Sequence, residues 1–295
     1  MNDNVVTNIN WFPGHMAKTR RMIAEHLSEV DLVIELLDAR IPYSSRNPEI
    51  SRLCAGKPML TLLNKADLAD PVQNALWVKE YSGEDHLCLL TDCAKGTGLK
   101  TILPSVRGIL REKVERYEQK GMNRALKAMV LGIPNVGKSS FINRVAGSAK
   151  AKAENRPGVT TTKQWVRTSI GLDLLDMPGV LWPKFEDTRV GENLAITGAI
   201  RDRILDLETI ASALCLRLRE GYPADFSARY KLGDPADYAN DTGYDLLRRV
   251  GRKRGFLVSG GEVDTERTAA MLLEEFRSAK IGKITLDRIN PARGE

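Results

Sequence analysis

The residues with the clearest chemical capacity are Gly132-Ile133-Pro134-Asn135-Val136-Gly137-Lys138-Ser139, which fit the spacing GxxxxGK[ST]. Its glycines let the backbone wrap a phosphate with N–H groups, and a helix opening directly afterwards adds its positive dipole end. In such a loop the backbone from Asn135 through Val136 and Gly137 to Ser140 faces the phosphates. Lys138 reaches the β- and γ-phosphates, and the Ser139 hydroxyl binds Mg²⁺. A second set, Asn64-Lys65-Ala66-Asp67, is equipped to choose a base. The Asp67 carboxylate can accept from N1–H and N2–H₂ of guanine, a pair that adenine lacks. Asn64 can meet the other edge, and the Lys65 stem can lie over the ring. In Cys93-Ala94-Lys95 the Ala94 N–H suits guanine O6; Cys93 stands where Ser is usual, a position that acts through its backbone. Asp176-Met177-Pro178-Gly179 fits DxxG, with Asp176 holding Mg²⁺ through water and the Gly179 N–H meeting the γ-phosphate. Between the two phosphate motifs lies Arg156–Thr162, where Thr160, or Thr161 beside it, is the candidate to close over Mg²⁺. The ligand implied is GTP or GDP with Mg²⁺.

These motifs need a sheet that delivers them to one edge. Short apolar runs at Leu32–Leu37, Met59–Leu63, Leu87–Leu90 and Ala128–Leu131 are apolar on both faces, as strands buried in a parallel sheet must be. Trp165–Ile170 and Leu172–Leu175, joined by Gly171, read as an antiparallel hairpin at the edge. Helical patterns lie between them at Ala17–Glu29, Val72–Tyr81, Leu99–Glu118 and Ser139–Ala146. The alternation predicts an α/β domain over residues 1–200 with a mostly parallel six-stranded sheet. Beyond it, Ile204–Arg219, Tyr244–Val250 and Glu266–Ala279, the last capped by Asp264 or Thr265, predict a small all-helical domain over residues 201–295.

Composition narrows the class. Of 295 residues 42% are apolar and 28% charged, ordinary for a globular chain, and no apolar run reaches the ~18 residues of a membrane span. The four cysteines form no CxxC pair and do not cluster with the three histidines, which argues against zinc or a disulfide framework and for a reducing cytoplasm. The net charge of +6 is unevenly spread: residues 100–170 hold 15 basic and 4 acidic side chains. That excess predicts a polyanion partner. It includes the phosphate loop, so RNA and nucleotide are expected on one face. A second basic knot, Arg248-Arg249-Val250-Gly251-Arg252-Lys253-Arg254, is the expected RNA contact of the C-terminal third.

The motif order is unusual. Ordinary GTPases place the phosphate loop first and the guanine motifs last, whereas here residues 64–67 and 93–95 precede 132–139 and 176–179. With Trp11-Phe12-Pro13-Gly14-His15-Met16, Asp38-Ala39-Arg40 and Leu181–Asp187, this chain resembles the circularly permuted GTPases, in particular their ribosome biogenesis GTPase A branch. The resemblance implies a permuted P-loop GTPase domain followed by an RNA-contacting helical domain. It implies GTP hydrolysis serving maturation of the large ribosomal subunit. With no lipidation motif or amphipathic anchor in the sequence, no membrane partner is expected, nor DNA, and the chain is expected to be a monomer. It also implies potassium held by Asn135 beside the phosphates. Val180 stands where many GTPases place a water-orienting Gln. The resemblance points instead to His15, which sits in an expected turn before the first helix and whose bland alternatives are a helix cap or an RNA contact. The competing readings are another RNA-linked GTPase, or a non-hydrolysing GTP-dependent RNA adaptor favoured only by Val180.

Overall fold

A computed structural model describes residues 13–83, 86–122, 124–147, 163–168, 170–179, 181–182, 185 and 187–290, with backbone alone over 13–17. The strands are β1 (Leu32–Asp38), β2 (Met59–Asn64), β3 (His86–Leu90), β4 (Leu126–Gly132), β5 (Gln164–Val166) and β6 (Leu172–Asp176). They form one sheet in the order β3-β2-β1-β4-β6-β5, parallel except for the antiparallel β5–β6 pair at the edge. All six expected strands are present. The edge strand is shorter than its sequence pattern, because Thr168 turns its N–H and hydroxyl onto Asp173 and the Leu172 carbonyl.

The helices are α1 (Pro13–His26), α2 (Pro48–Leu53), α3 (Pro71–Glu80), α4 (Ile102–Ile109), α5 (Arg111–Gln119), α6 (Lys138–Ala146) and α7 (Thr188–Ile196), then α8 (Leu207–Gly221), α9 (Pro223–Tyr230), α10 (Gly243–Arg254) and α11 (Thr265–Arg277). Pattern alone misses α2, α7 and α9. The expected single helix Leu99–Glu118 is broken at Leu110, a buried residue outside helical geometry that joins α4 to α5. Asp264 is the cap of α11, accepting from the Arg267 N–H.

Side chains alternate across the sheet, so β1 and β4 bury both faces. Leu32, Ile34, Leu36, Ala128 and Val130 pack with α4, α6, α7 and the C-terminal helices. Val33, Met129, Leu131, Leu175 and Met177 pack on the other side with Ile23 of α1. Because α1 feeds β1 through a short turn and lies on the sheet, its first turn is placed toward the strand C-terminal ends. His15 lies in that first helical turn instead of a preceding loop.

In the C-terminal part α8 is the central helix, flanked by α10 and α11. Glu275 of α11 accepts from Arg229, Tyr230 and Arg254 and pins α9 and α10 to it. This uses up part of the basic knot: Arg254 is tied to Glu275, Arg249 to Asp241 and Arg248 to Glu262. Only Arg252 and Lys253 of the five cations remain outward without an ion pair among the described residues. The basic segment 100–170 divides as well. Lys113, Arg124 and Lys127 sit at the N-terminal ends of β1 and β4, whereas the phosphate loop leaves the C-terminal end of β4. The basic segment expected to give RNA and nucleotide one shared face is thus split between the two ends of β4, separated by seven residues of strand, roughly 20 Å.

Candidate nucleotide site

Gly132 ends β4 and Lys138 opens α6, so residues 133–137 make the loop between them. The loop bends through left-handed backbone at Asn135 (φ 59°) and Gly137 (φ 105°). Gly137 cannot be replaced without displacing its neighbour, because a Cβ there would lie 2.2 Å from Asn64 Nδ2. At Gly179 a Cβ would approach Lys138 Nζ to 2.9 Å and Pro134 N to 3.0 Å. The DxxG turn is therefore seated directly on the loop. Lys138 is buried and donates to the Gly132 and Ile133 carbonyls at 3.1 and 3.2 Å. Ser139 and Ser140 are half-buried on the first turn of α6, behind Val136, which is buried.

Asp176 ends β6 next to β4, its register partner being Val130. Its Oδ1 is buried with no hydrogen-bond partner among the described residues, a costly arrangement for a carboxylate unless a ligand completes it. Burial pushes Asp176 up to about 6, opposed by the Lys138 charge. Burial likewise pushes Lys138 down to about 8, with Asp176 opposing.

The base-choosing residues lie across the loop. Asn64 donates from Nδ2 to the Val136 carbonyl at 2.7 Å and accepts on Oδ1 from the Cys93 N–H at 2.9 Å. This differs from the expected contact with the second edge of a base. Asn64 ties three loops together, because its amide is the group that reaches both the phosphate loop and the turn after β3. Lys65, in left-handed backbone (φ 61°), donates to Asp38 Oδ2 at 3.0 Å. Burial would raise Asp38, but Arg40 and Lys65 hold its carboxyl well below the usual range. Asp67 Oδ2 accepts from Lys95 Nζ at 2.7 Å. The Ala94 N–H, expected to be available to a base oxygen, donates with the Lys95 N–H to Asp92 Oδ1, both at 3.0 Å. A ligand carbonyl at that position must share this donor with Asp92. The Cys93 side chain is buried, its Sγ toward Thr91, so only its backbone serves the loop.

Asn64, Lys65, Asp67, Ala94, Asn135 and Gly137 line one cleft of about 1100 Å³. Its far wall was not legible in the motifs: Thr197–Arg203 after α7, and Arg277 from α11. Asn135 Nδ2 donates to the Gly198 carbonyl at 2.7 Å. Arg277 donates to the Ala195 and Ile196 carbonyls and pairs with Asp202, closing the end of α7. Thr160, Thr161 and Val180, and the imidazole of His15, lie outside the described residues.

The comparisons with known proteins agree with this geometry. A family model described as 50S ribosome-binding GTPase matches residues 127–216. Ribosome biogenesis GTPase A of Priestia megaterium is 46% identical over 97% of this chain and 98% of its own length. Mitochondrial ribosome-associated GTPase 1 of Ictalurus punctatus is 36% identical over 94% of this chain and 92% of its own. The solved structure of GNP-bound YlqF from T. maritima shares the fold, with a TM-score of 0.60 at 23% identity, covering 92% of this chain and 98% of that one. With these relatives along nearly its whole length, the chain belongs to the ribosome biogenesis GTPase A family of circularly permuted GTPases.

Proposed function

We propose that this GTP hydrolase drives a late step in maturation of the large ribosomal subunit, as a cytoplasmic monomer contacting ribosomal RNA. The observation that carries the reading is one cleft joining the guanine-choosing loops to the phosphate loop, in a chain whose relatives are named for ribosome assembly. Asp67 accepts from the guanine edge and the Ala94 N–H meets its oxygen, while Lys65 covers the ring. The backbone from Asn135 to Ser140 wraps the phosphates. Lys138 leaves the Gly132 and Ile133 carbonyls for the β- and γ-phosphates, and the Gly179 N–H meets the γ-phosphate. The Asp176 oxygen left without a partner among the described residues, with the Ser139 hydroxyl on the first turn of α6, fits Mg²⁺; Thr160, outside the described residues, would complete that set. These residues would hold Mg²⁺, which would supply neutralisation of the charge developing on the phosphate oxygens. The test is turnover: large subunits should raise a slow intrinsic GTP hydrolysis. Tight nucleotide-dependent binding with no hydrolysis would make the chain an adaptor.

The two buried charges set a pH window. Phosphates favour the Lys138 ammonium, so above about 8 each binding event must take up a proton and affinity falls. Below about 6 Asp176 is protonated and no longer serves Mg²⁺. Mg·GTP affinity measured by titration should be flat between these limits and fall by up to ~10-fold per pH unit outside them. Constant affinity from pH 5 to 9.5 would contradict this pairing.

Asn135 spends its Nδ2 on Gly198, which leaves Oδ1 as the atom for a cation. We propose potassium there, so hydrolysis runs faster in potassium than in sodium at equal ionic strength. Equal rates would reduce Asn135 to a residue that shapes the loop.

A further inference from the structure

At the N-terminal ends of β1 and β4, across the sheet from the nucleotide cleft, lies a groove of about 420 Å³. Asp31, Lys113, Tyr117, Arg124, Lys127 and Trp165 form its walls. Each ring is partnered by a cation: Lys127 Nζ lies 5.3 Å from the Trp165 centroid, and Lys113 Nζ 5.7 Å from that of Tyr117. Trp165 nevertheless keeps 37% of its surface exposed. The groove's two carboxylates are occupied. Asp31 takes the Lys113 ammonium on one oxygen and the Lys127 backbone N–H on the other. Glu29 is bonded to His26, whose second ring nitrogen contacts Lys163. The net surface is basic, because Arg116, Lys120 and Arg124 are exposed nearby without ion pairs among the described residues.

We infer that this groove binds single-stranded RNA, stacking a base against Trp165 while Arg124 and Lys127 take flanking phosphates. This rests on the reading that the chain contacts RNA, and it adds a contact surface separate from the nucleotide face and the helical domain. Every base has a π-face, so an exposed aromatic set among cations is the chemistry of sequence-tolerant strand binding. A folded protein partner would instead need a larger apolar centre than these two rings supply.

The probe is a labelled 20-residue uridine oligomer, titrated with the full chain at several salt concentrations. The parent should bind with a steep salt slope. Arg124→Glu with Lys127→Glu should weaken binding at least 10-fold and flatten the slope by about 1.4, the loss of two phosphate contacts to a single strand. Trp165→Ala should weaken it about 5- to 150-fold with the slope retained. Intrinsic GTP hydrolysis, unchanged in these variants, verifies that they fold. Absence of oligomer binding by the parent, or parental affinity in both variants, overturns the proposal. Oligomer binding that the variants weaken, without co-sedimentation on ribosomal subunits, sustains the groove and overturns the ribosomal reading instead.

Discussion

Asp67→Asn is expected to lower GTP affinity about 10- to 150-fold and to transfer the preference to xanthosine triphosphate. In the proposed site the carboxylate accepts from two guanine donors, whereas an amide would present one acceptor and a clashing donor. Leaving a donor of the base unpaired and losing a charge-assisted bond costs ~1.5–3 kcal/mol, which is the stated range. Xanthine carries an oxygen where guanine carries its amino group, and the amide can donate to it. Lys95 holds the Asp67 carboxylate at 2.7 Å, so Lys95→Ala is the matched control. Lys95 is largely exposed, and its loss should cost far less. Competition titration of the two nucleotides reads the result. Unchanged guanine preference in the Asp67 variant would remove this loop from base selection.

The second large effect belongs to His15. His15→Ala is expected to cut subunit-stimulated turnover ~10²-fold or more, the range for losing a positioned general base, while leaving GTP affinity intact. A neutral imidazole placed beside the γ-phosphate can orient water or accept a proton. The backbone supports the proposal: α1 opens at Pro13 and runs along the sheet with Ile23 packed beside Leu175 and Met177, the residues flanking Asp176. Its first turn is thereby directed to the end of the sheet where the phosphate loop lies. A variant that binds the subunit normally and turns over at the parental rate would exclude His15 from the mechanism.

Strands β1 to β4 were legible because each run is apolar on both faces, the signature of burial between two helical layers, and the β5–β6 hairpin because its two runs are joined by Gly171. The phosphate and guanine loops were legible because each is a contiguous run whose residue types are dictated by local geometry. The cleft's far wall was not. Arg277 looks in sequence like any basic residue in the last turn of a helix, yet it closes the end of α7 and lines the cleft. Helix α7 itself was hidden because it buries Gly191 and Asn193 among its apolar residues, which blurs the helical stripe. The ties of Asn64 were hidden too, because its partners Val136 and Cys93 are distant in sequence and adjacent only in the fold. The C-terminal tail repeats this lesson. Asp287 accepts from Ser44 and Asn193, and its backbone carbonyl from the Trp77 indole, strapping the chain end back over the sheet domain.

A GTP hydrolase that drives large-subunit maturation, as proposed, should attach to that subunit in a nucleotide-dependent way. This is tested most directly by sedimenting the protein with purified small and large subunits in the presence of a non-hydrolysable GTP analogue, GDP, or no nucleotide. Co-sedimentation with the large subunit is expected under the analogue, with little under GDP or without nucleotide. Equal binding in all three states, or binding to the small subunit alone, would contradict it.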